Sequence, residues 1–265
     1  SNRENRVRFF LNKSKIFLQR NLLARAHLAT LKKFDLVFDV AKNDACYYEN
    51  KGVKACYLQN MWPTNFDLAS KDEGSERKKI NGKIVGGVGN VSATGNTLGF
   101  LALGKEVLPE LDKTINRNEY EIHIFGGGVL KPNVAQVLTH PNIKMRGFVE
   151  DLDSEILSSS VFLITNNFYD FKVGHTRFLH AWSLGCCVIA FKDCANAMPE
   201  IVHEKNALLA ETPKEMAQLI EAALYEETLR NRIGVGGYNT LKEQFAPELV
   251  VGKLVNKIQT NRYQR

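Results

Sequence analysis

Three loops of the sequence combine glycines with polar or charged residues in patterns that could bind an anionic nucleotide. The first joins an apolar strand to a helix and contains Gly89 and Asn90. Glycines there let backbone amides approach an anion, and the N-terminus of the next helix adds partial positive charge. The spacing lacks the third glycine of a dinucleotide fingerprint and the Gly-Lys-Ser/Thr ending of a P-loop. Phosphate binding and a purely structural tight turn therefore both stay open for this loop.

The second loop follows another predicted strand and contains Gly147, Phe148 and Val149. A glycine before an aromatic and a β-branched residue could present backbone groups to a flat base. The alternative is a turn that buries Phe148 in the core. Asp151 and Asp153 spell D-x-D, a metal-binding pattern in some nucleotide-sugar enzymes, but carboxylates are also favoured at the positive end of a helix dipole. We predict that this pair opens a helix, and we predict no metal site.

The third loop leads into a helix that begins near Gly174 and Thr176 and has Arg177 in its first turn. Free amides, a hydroxyl and a guanidinium could converge there on a diphosphate. His180 lies four residues past Thr176 and is expected on the same helix face, one turn deeper. Alternatively, Thr176 is only a helix cap, Arg177 is solvated and His180 packs under the sheet edge. His175 and His180 are five residues apart, which does not suit a metal pair on one helix face.

A regular alternation of strands and helices must position these loops. Apolar, nearly continuous strands separated by helices predict an α/β fold with a doubly wound, parallel, Rossmann-like sheet covered on both faces. In such sheets ligands bind outside the carboxyl ends of the strands. The predicted strands are Lys83–Val85, Tyr120–Phe125, Asn142–Met145, Ser160–Thr165 and Cys187–Phe191, and the predicted helices are Leu98–Leu111, Leu152–Ser158, Thr176–Leu184 and Pro213–Leu224.

A smaller β-α-β unit precedes this sheet. The spacing of apolar residues predicts one long helix or two short ones over Arg6–Phe34, then a strand over Asp35–Val40. Asn43 is predicted to cap a helix that Gly52 ends, and Val53–Leu58 is predicted as the second strand. The predicted organisation is a partial N-terminal region at 1–70, a charged linker at 71–82 and the Rossmann-like domain at 83–265.

Composition and charge limit the classes of function. With 44% hydrophobic and 24% charged residues among 265, the chain can form a core and is not intrinsically disordered. Five scattered cysteines predict neither disulfides nor a zinc site and indicate a reducing, cytoplasmic environment. The net charge of +6 is concentrated in residues 1–34, where nine Lys/Arg face one Glu. This distribution disfavours nucleic-acid binding. It is compatible with peripheral contact to an anionic membrane or with a solvated basic helix face.

The order of the motifs is more specific than any one of them. From about Lys83 to Lys257 the chain resembles the C-terminal, nucleotide-sugar-binding half of GT-B fold glycosyltransferases of the retaining group 1 family. Residues 35–60 look like the last strands of the partner N-terminal domain, so the resemblance implies that most of that domain is absent. The matching stretches are Gly89-Asn90 with Asn96 and Gly99, Ile124–Gly128, Asn142–Asp151, Gly174–Gly185 with Val188–Ala190, and Met198–Val202.

The resemblance implies which residues bind the donor. Gly147 to Val149 would touch the base, the loop from Asn90 would approach the phosphates, and Gly174 to Arg177 would meet the diphosphate. His180 stands where the family has the second glutamate of a Glu-x7-Glu pattern, which binds the ribose hydroxyls. An imidazole cannot reproduce its bidentate acceptor. The implied donor-binding residues are Gly89, Asn90, Asn96, Gly147, Phe148, Val149, Lys172, Gly174, His175, Thr176, Arg177 and His180, of which Lys172 replaces the first glutamate and Asn96 a basic residue.

The leading expectation is therefore a glycosyltransferase. It would move a sugar from a nucleotide-diphosphate donor to a carbohydrate, lipid or protein acceptor, with retention and without a metal or any cofactor besides the donor. The alternative is a non-catalytic GT-B module that binds a nucleotide or a protein, because both acidic positions are replaced. An NAD-dependent dehydrogenase is disfavoured because Phe125 and Gly126 stand where it needs an acid.

Overall fold

The computed structural model describes residues 19–63, 82–166 and 176–263, and in these ranges the chain forms two parallel sheets. The small sheet pairs β1, Val37–Asp39, with β2, Ala55–Tyr57. The strands of the large sheet are β3 Lys83–Gly87, β4 Glu121–Phe125, β5 Ile143–Gly147, β6 Val161–Ile164, β7 Val188–Phe191 and β8 Leu208–Ala210. Their order across the sheet is β5-β4-β3-β6-β7-β8.

Helices connect the strands and cover both faces of the large sheet. The helices are α1 at 19–31, α2 Lys42–Asn50, α3 Thr94–Ala102, α4 Leu108–Thr114, α5 Pro132–Val137, α6 Leu152–Leu157, α7 Thr176–Ser183, α8 Cys194–Ala197, α9 Pro213–Tyr225, α10 Glu227–Gln244 and α11 Pro247–Tyr263. The helix α3 continues through a π-helical segment, Leu103–Val107, into α4, and a 3₁₀ turn at Arg117–Glu119 precedes β4.

The core lies on both faces of the large sheet. Alternate residues of a strand point to opposite faces, so Ile84 joins the cluster under α3, α4 and α9, whereas Val85 joins the cluster under α7. In β6 the side chains of Phe162 and Leu163 divide in the same way, and all four residues are buried. Burial on both faces is why β6 is apolar throughout. The predicted doubly wound parallel sheet is confirmed.

The strand order reverses between β3 and β6. From the central β3 the chain runs outward through β4 and β5, then returns to β6 on the other side of β3 and continues through β7 to β8. The chain therefore continues from β3 and from β6 toward opposite sides of the sheet, and open sheets of this kind bind ligands at the carboxyl ends of their strands. The three loops singled out in the sequence all follow strands at this edge.

The N-terminal β-α-β unit is confirmed, with one correction at its helix. Strands β1 and β2 pair in parallel, and Gly52 ends α2 with a φ of +77°. Asn43 does not cap α2, because the N-cap is Ala41, whose N–H donates to Asp39 Oδ1 at 2.8 Å. Of the predicted first helix, residues 19–31 are helical and residues 6–18 lie outside the described part of the chain.

This unit contacts the large domain through specific hydrogen bonds. The Tyr57 hydroxyl donates to Glu200 Oε2 at 2.9 Å, and the Trp62 N–H donates to the Phe245 carbonyl oxygen at 2.9 Å. Burial and then the nearby Glu200 carboxylate raise the pKa of Tyr57, so its hydroxyl stays protonated as a donor. Residues 64–81 lie outside the described part, and the division at 71–82 stays a prediction.

The structure moves the start of one predicted helix and adds elements that were not predicted. The helix predicted from Leu98 begins four residues earlier, at Thr94. Strand β8 is only three residues long, too short to give an alternating pattern, and α10 contains three glycines that disfavour a helix in sequence. In the residues the structure describes, no helix combines the length and apolar character required to span a bilayer.

Glycines in α10 let it pack closely against α7, which carries Arg177 and His180. A β-carbon on Gly237 would lie 2.2 Å from Trp182 Cδ1. Trp182 is fully buried, and its indole N–H donates to the Asn206 carbonyl oxygen at 2.8 Å, so the ring has no room to move. The close approach of the two helices therefore fixes the position of α7.

We predict that Gly237→Ala lowers the free energy of unfolding by about 1–3 kcal/mol, because the new methyl group forces the Trp182 ring out of its place. The matched control is Gly252→Ala on the exposed face of α11, where a β-carbon meets no atom within 4 Å. This control should raise stability by up to about 1 kcal/mol through helix propensity. Urea unfolding followed by tryptophan fluorescence measures both, and equal stability of the two variants would contradict the packing argument.

Candidate functional site

A cavity of about 560 Å³ lies at the carboxyl ends of β3, β4 and β5. It is formed by the loops that follow these three strands, together with the start of α6. Its position matches the edge at which open parallel sheets bind ligands. The lining residues are Gly89, Asn90, Phe125, Gly126, Gly127, Phe148, Val149, Glu150 and Leu152.

The loop between β3 and α3 is held by two asparagines. The Asn90 side-chain oxygen accepts hydrogen bonds from the backbone N–H of Ser92 at 2.9 Å and from its hydroxyl at 2.7 Å. The Asn96 amide nitrogen, buried below the loop, donates to the carbonyl oxygens of Val88 and Asn90 at 3.1 and 2.7 Å. Asn96 thus supports the loop from beneath and is not among the residues that line the cavity, and its contact with a donor stays a prediction.

The loop after β4 is hydrogen-bonded to both the loop after β3 and the loop after β5. The N–H of Gly126 donates to the Gly147 carbonyl oxygen at 2.7 Å, and the N–H of Val91 donates to the Gly127 carbonyl oxygen at 3.0 Å. Gly126 has a φ of +129°, and a β-carbon there would lie 1.8 Å from the Gly89 carbonyl oxygen. Only glycine allows this contact, so the cavity wall depends on it.

The loop after β5 presents an aromatic ring to the cavity. Gly147 adopts a φ of +67°, which turns the chain so that the Phe148 side chain is 84% exposed while Val149 packs partly against the core. The alternative in which Phe148 joins the core is wrong. Asp151 caps α6 by accepting from the Ser154 N–H at 2.9 Å, as predicted for a helix start. Across the described part of the chain, no group of three or more His, Cys, Asp or Glu side chains could hold a metal ion.

Helix α7 places a partly buried cation at the start of the helix. Arg177 is half-buried, and burial lowers the pKa of its guanidinium. No described residue forms an ion pair with it. A guanidinium that is partly desolvated gains much from binding an anion. Thr176 is exposed at the first position of the helix.

His180 bridges three parts of the structure. Its Nε2 lies 2.7 Å from Asp153 Oδ1 on α6, and its ring stacks on Trp62, with centroids 5.7 Å apart and planes at 29°. Asp153 follows Leu152, which lines the cavity, so this pair lies at the flank of the cavity. Contact between His180 and a ribose stays a prediction. Lys172, Gly174 and His175 lie outside the described residues.

Residues 82–226 match the family of glycosyl transferases group 1. This stretch is more than half of the chain and includes the cavity, α6 and α7. The chain belongs to this glycosyltransferase family. No curated protein sequence matches the chain.

Solved glycosyltransferases share the fold of this group 1 chain at low sequence identity. The chain aligns with HepE from Anabaena in complex with UDP and glucose (TM-score 0.68, 16% identity, 89% of this chain, 66% of HepE). It aligns with TarM of S. aureus (TM-score 0.69, 15% identity, 88% of this chain, 45% of TarM). It also aligns with sucrose-phosphate synthase from Thermosynechococcus elongatus (TM-score 0.65, 14% identity, 88% of this chain, 61% of the synthase). The expected GT-B architecture is thereby confirmed. The chain spans less than two thirds of the length of these proteins.

The structure brings some predicted site residues of this glycosyltransferase chain to the cavity and leaves others apart. Gly89, Asn90, Phe148 and Val149 line it, and Gly147 forms the turn that presents Phe148. Sequence reasoning did not select the remaining lining residues as site residues. The glycine run after β4 was a usable signal, since it follows a strand at the same edge. The missed residues are Phe125, Gly126, Gly127, Glu150 and Leu152.

We predict that Gly126→Ala lowers the free energy of unfolding by at least about 2 kcal/mol, because the methyl group meets the Gly89 carbonyl and the positive φ is strained. The neighbouring Gly127→Ala is the matched control, since a β-carbon there meets nothing within 4 Å. It should change stability by less than about 0.5 kcal/mol. Thermal unfolding by calorimetry compares them, and two variants as stable as the parent would refute the interlocked arrangement of the loops.

Proposed function

We propose that this chain is the donor-binding part of a glycosyltransferase that moves a sugar from a nucleotide-diphosphate sugar to a carbohydrate, lipid or protein acceptor. The observation that carries the proposal is the cavity at the carboxyl ends of β3, β4 and β5, inside the stretch that matches the family. Its volume suits a nucleotide-sized ligand. HepE, which shares the fold of this chain, was solved in complex with UDP and glucose, and this supports a nucleotide ligand.

The proposal assigns a part of the donor to each loop. The base stacks against Phe148, and the phosphates lie near the backbone amides of Gly89 and Asn90 and the N-terminus of α3. Arg177 at the start of α7 stabilises the diphosphate as it leaves. Fixed amides and a guanidinium supply this stabilisation without a metal ion. Transfer with retention and without metal is part of the same proposal.

The proposal places the acceptor on the N-terminal side, in the region predicted at 1–70. Helix α1 carries exposed apolar residues, Leu22 and Leu23, next to the basic residues Arg20 and Arg25. Such a combination supports peripheral contact with an anionic membrane surface from the cytoplasmic side, close to a lipid-linked acceptor. The same helix would serve equally to complete an N-terminal domain.

A second candidate is a non-catalytic GT-B module that binds a nucleotide or a protein. The observation that favours it is the state of His180, whose Nε2 pairs with Asp153 and whose ring stacks on Trp62. A side chain held on two sides is less available to a substrate. The two candidates differ in turnover, because only the first releases sugar from a nucleotide sugar.

We predict that isothermal titration of the chain with UDP and GDP detects binding of at least one of them below millimolar concentration. Arg177→Ala should weaken that binding about tenfold or more and leave the binding of the corresponding nucleoside unchanged, because the guanidinium contacts only phosphate. Arg25→Ala on α1 removes the same charge from an exposed helix and should have no effect. No binding of either nucleotide at millimolar concentration would overturn the proposal. Binding without sugar release from any nucleotide sugar would favour the non-catalytic module.

A further inference from the structure

An ionisable side chain, that of Glu150, lines the cavity. Among the described residues at its surface, Glu150 alone carries a group that can be charged, and the others are apolar residues, glycines and one asparagine. Glu150 is exposed, and its carboxylate forms no hydrogen bond or ion pair with any described residue. The next residue, Asp151, is instead committed to capping α6. The carboxylate of Glu150 is therefore available to a ligand.

A carboxylate at this end of the cavity favours one orientation of a nucleotide bound there. A negative group repels phosphates, so the diphosphate is expected away from Glu150, toward the amides of Gly89 and Asn90 and the N-terminus of α3. The base then occupies the end that contains Phe148 and Glu150. Because these two residues are separated by one residue in the same loop, the ring and the carboxylate can contact one base together.

We infer that Glu150 makes the cavity selective for guanine, so that the donor is a guanosine-diphosphate sugar. The inference rests on the proposed function and adds to it the identity of the base. Guanine presents two adjacent donors on its Watson–Crick edge, N1–H and the N2 amino group. A carboxylate accepts both in a bidentate, charge-assisted pair.

The other common bases do not match a carboxylate. Uracil offers a single donor, N3–H, between two carbonyl oxygens that the carboxylate repels. Adenine and cytosine each place an acceptor nitrogen beside their amino group. A site built for two donors rejects analogues that lack one of them, because a polar group is then left without a partner. Phe148 adds to the preference, since its exposed ring can stack on the larger surface of a purine.

The experiment is calorimetric titration of the whole chain and its variants with GDP, UDP and ADP. The parent chain should bind GDP about tenfold or more tightly than UDP or ADP. In Glu150→Gln the amide offers one donor and one acceptor, a pattern that guanine, uracil and adenine can all meet. The GDP preference should therefore fall to within about threefold.

The matched control is Glu227→Gln, in the first turn of α10. Glu227 lies two residues from Tyr225, which contacts Glu119 just before β4, so it belongs to the opposite edge of the sheet. This variant loses the same charge and should retain the full GDP preference. Glu150 is exposed, so its replacement should leave the unfolding temperature unchanged, which calorimetry verifies in the same samples.

The possible failures can be told apart. Equal binding of UDP and GDP by the parent chain, or an unchanged GDP preference in Glu150→Gln, overturns the role of Glu150 and leaves the donor site in place. An absence of binding by all three nucleotides overturns the proposed function itself, and the inference with it. A preference lost in Glu150→Gln and kept in Glu227→Gln supports the assignment.

Discussion

The backbone contact between Gly126 and its neighbours is the constraint on which the candidate site depends. Gly126 donates to the Gly147 carbonyl and lies so close to Gly89 that no side chain fits between them. Three loops from three adjacent strands are thereby held in one arrangement before any ligand binds. A cavity wall that is fixed in advance needs little reorganisation on binding, which is how such sites gain affinity.

The second half of the site depends on how α7 is anchored. Gly237 of α10 allows Trp182 to lie fully buried against it, and the Trp182 indole is tied to the Asn206 carbonyl. The anchored helix presents Arg177 at its start and His180 one turn on. The pairing of His180 with Asp153 and Trp62 joins α7 to α6 and to the N-terminal unit. A histidine at this position therefore connects three elements of the structure.

The sequence predicted the parts of the fold that hydrophobic burial determines. Strands buried on both faces, such as β6, are continuous apolar runs and were found to within a residue or two. Polar contacts at the ends of elements were harder to predict. At the start of α2, the side chain that accepts a hydrogen bond from the backbone belongs to Asp39 and not to Asn43. Helix α10 was missed because its glycines serve packing against α7, a tertiary effect that local propensity cannot show.

The candidate site, like the fold, could be predicted from the sequence only in part. Glycine loops after strands located the cavity edge. Phe148 lines the cavity, and its predicted contact with a flat base stays a prediction. Glu150 was missed because an isolated acid in a loop is usually solvated, and only the three-dimensional arrangement places it beside Phe148. Residues 167–175, with Lys172 and His175, lie outside the described part, so their predicted roles stay predictions.

The central claim is that the three interlocked loops form a nucleotide site at the carboxyl edge of the large sheet. Its most direct test is a crystal structure of the chain grown with a nucleoside diphosphate. The account predicts density for the base against the Phe148 ring and for the phosphates within hydrogen-bonding distance of the Gly89–Asn90 backbone. Density for the nucleotide at the opposite edge of the sheet, or with its phosphates against Glu150, would contradict it.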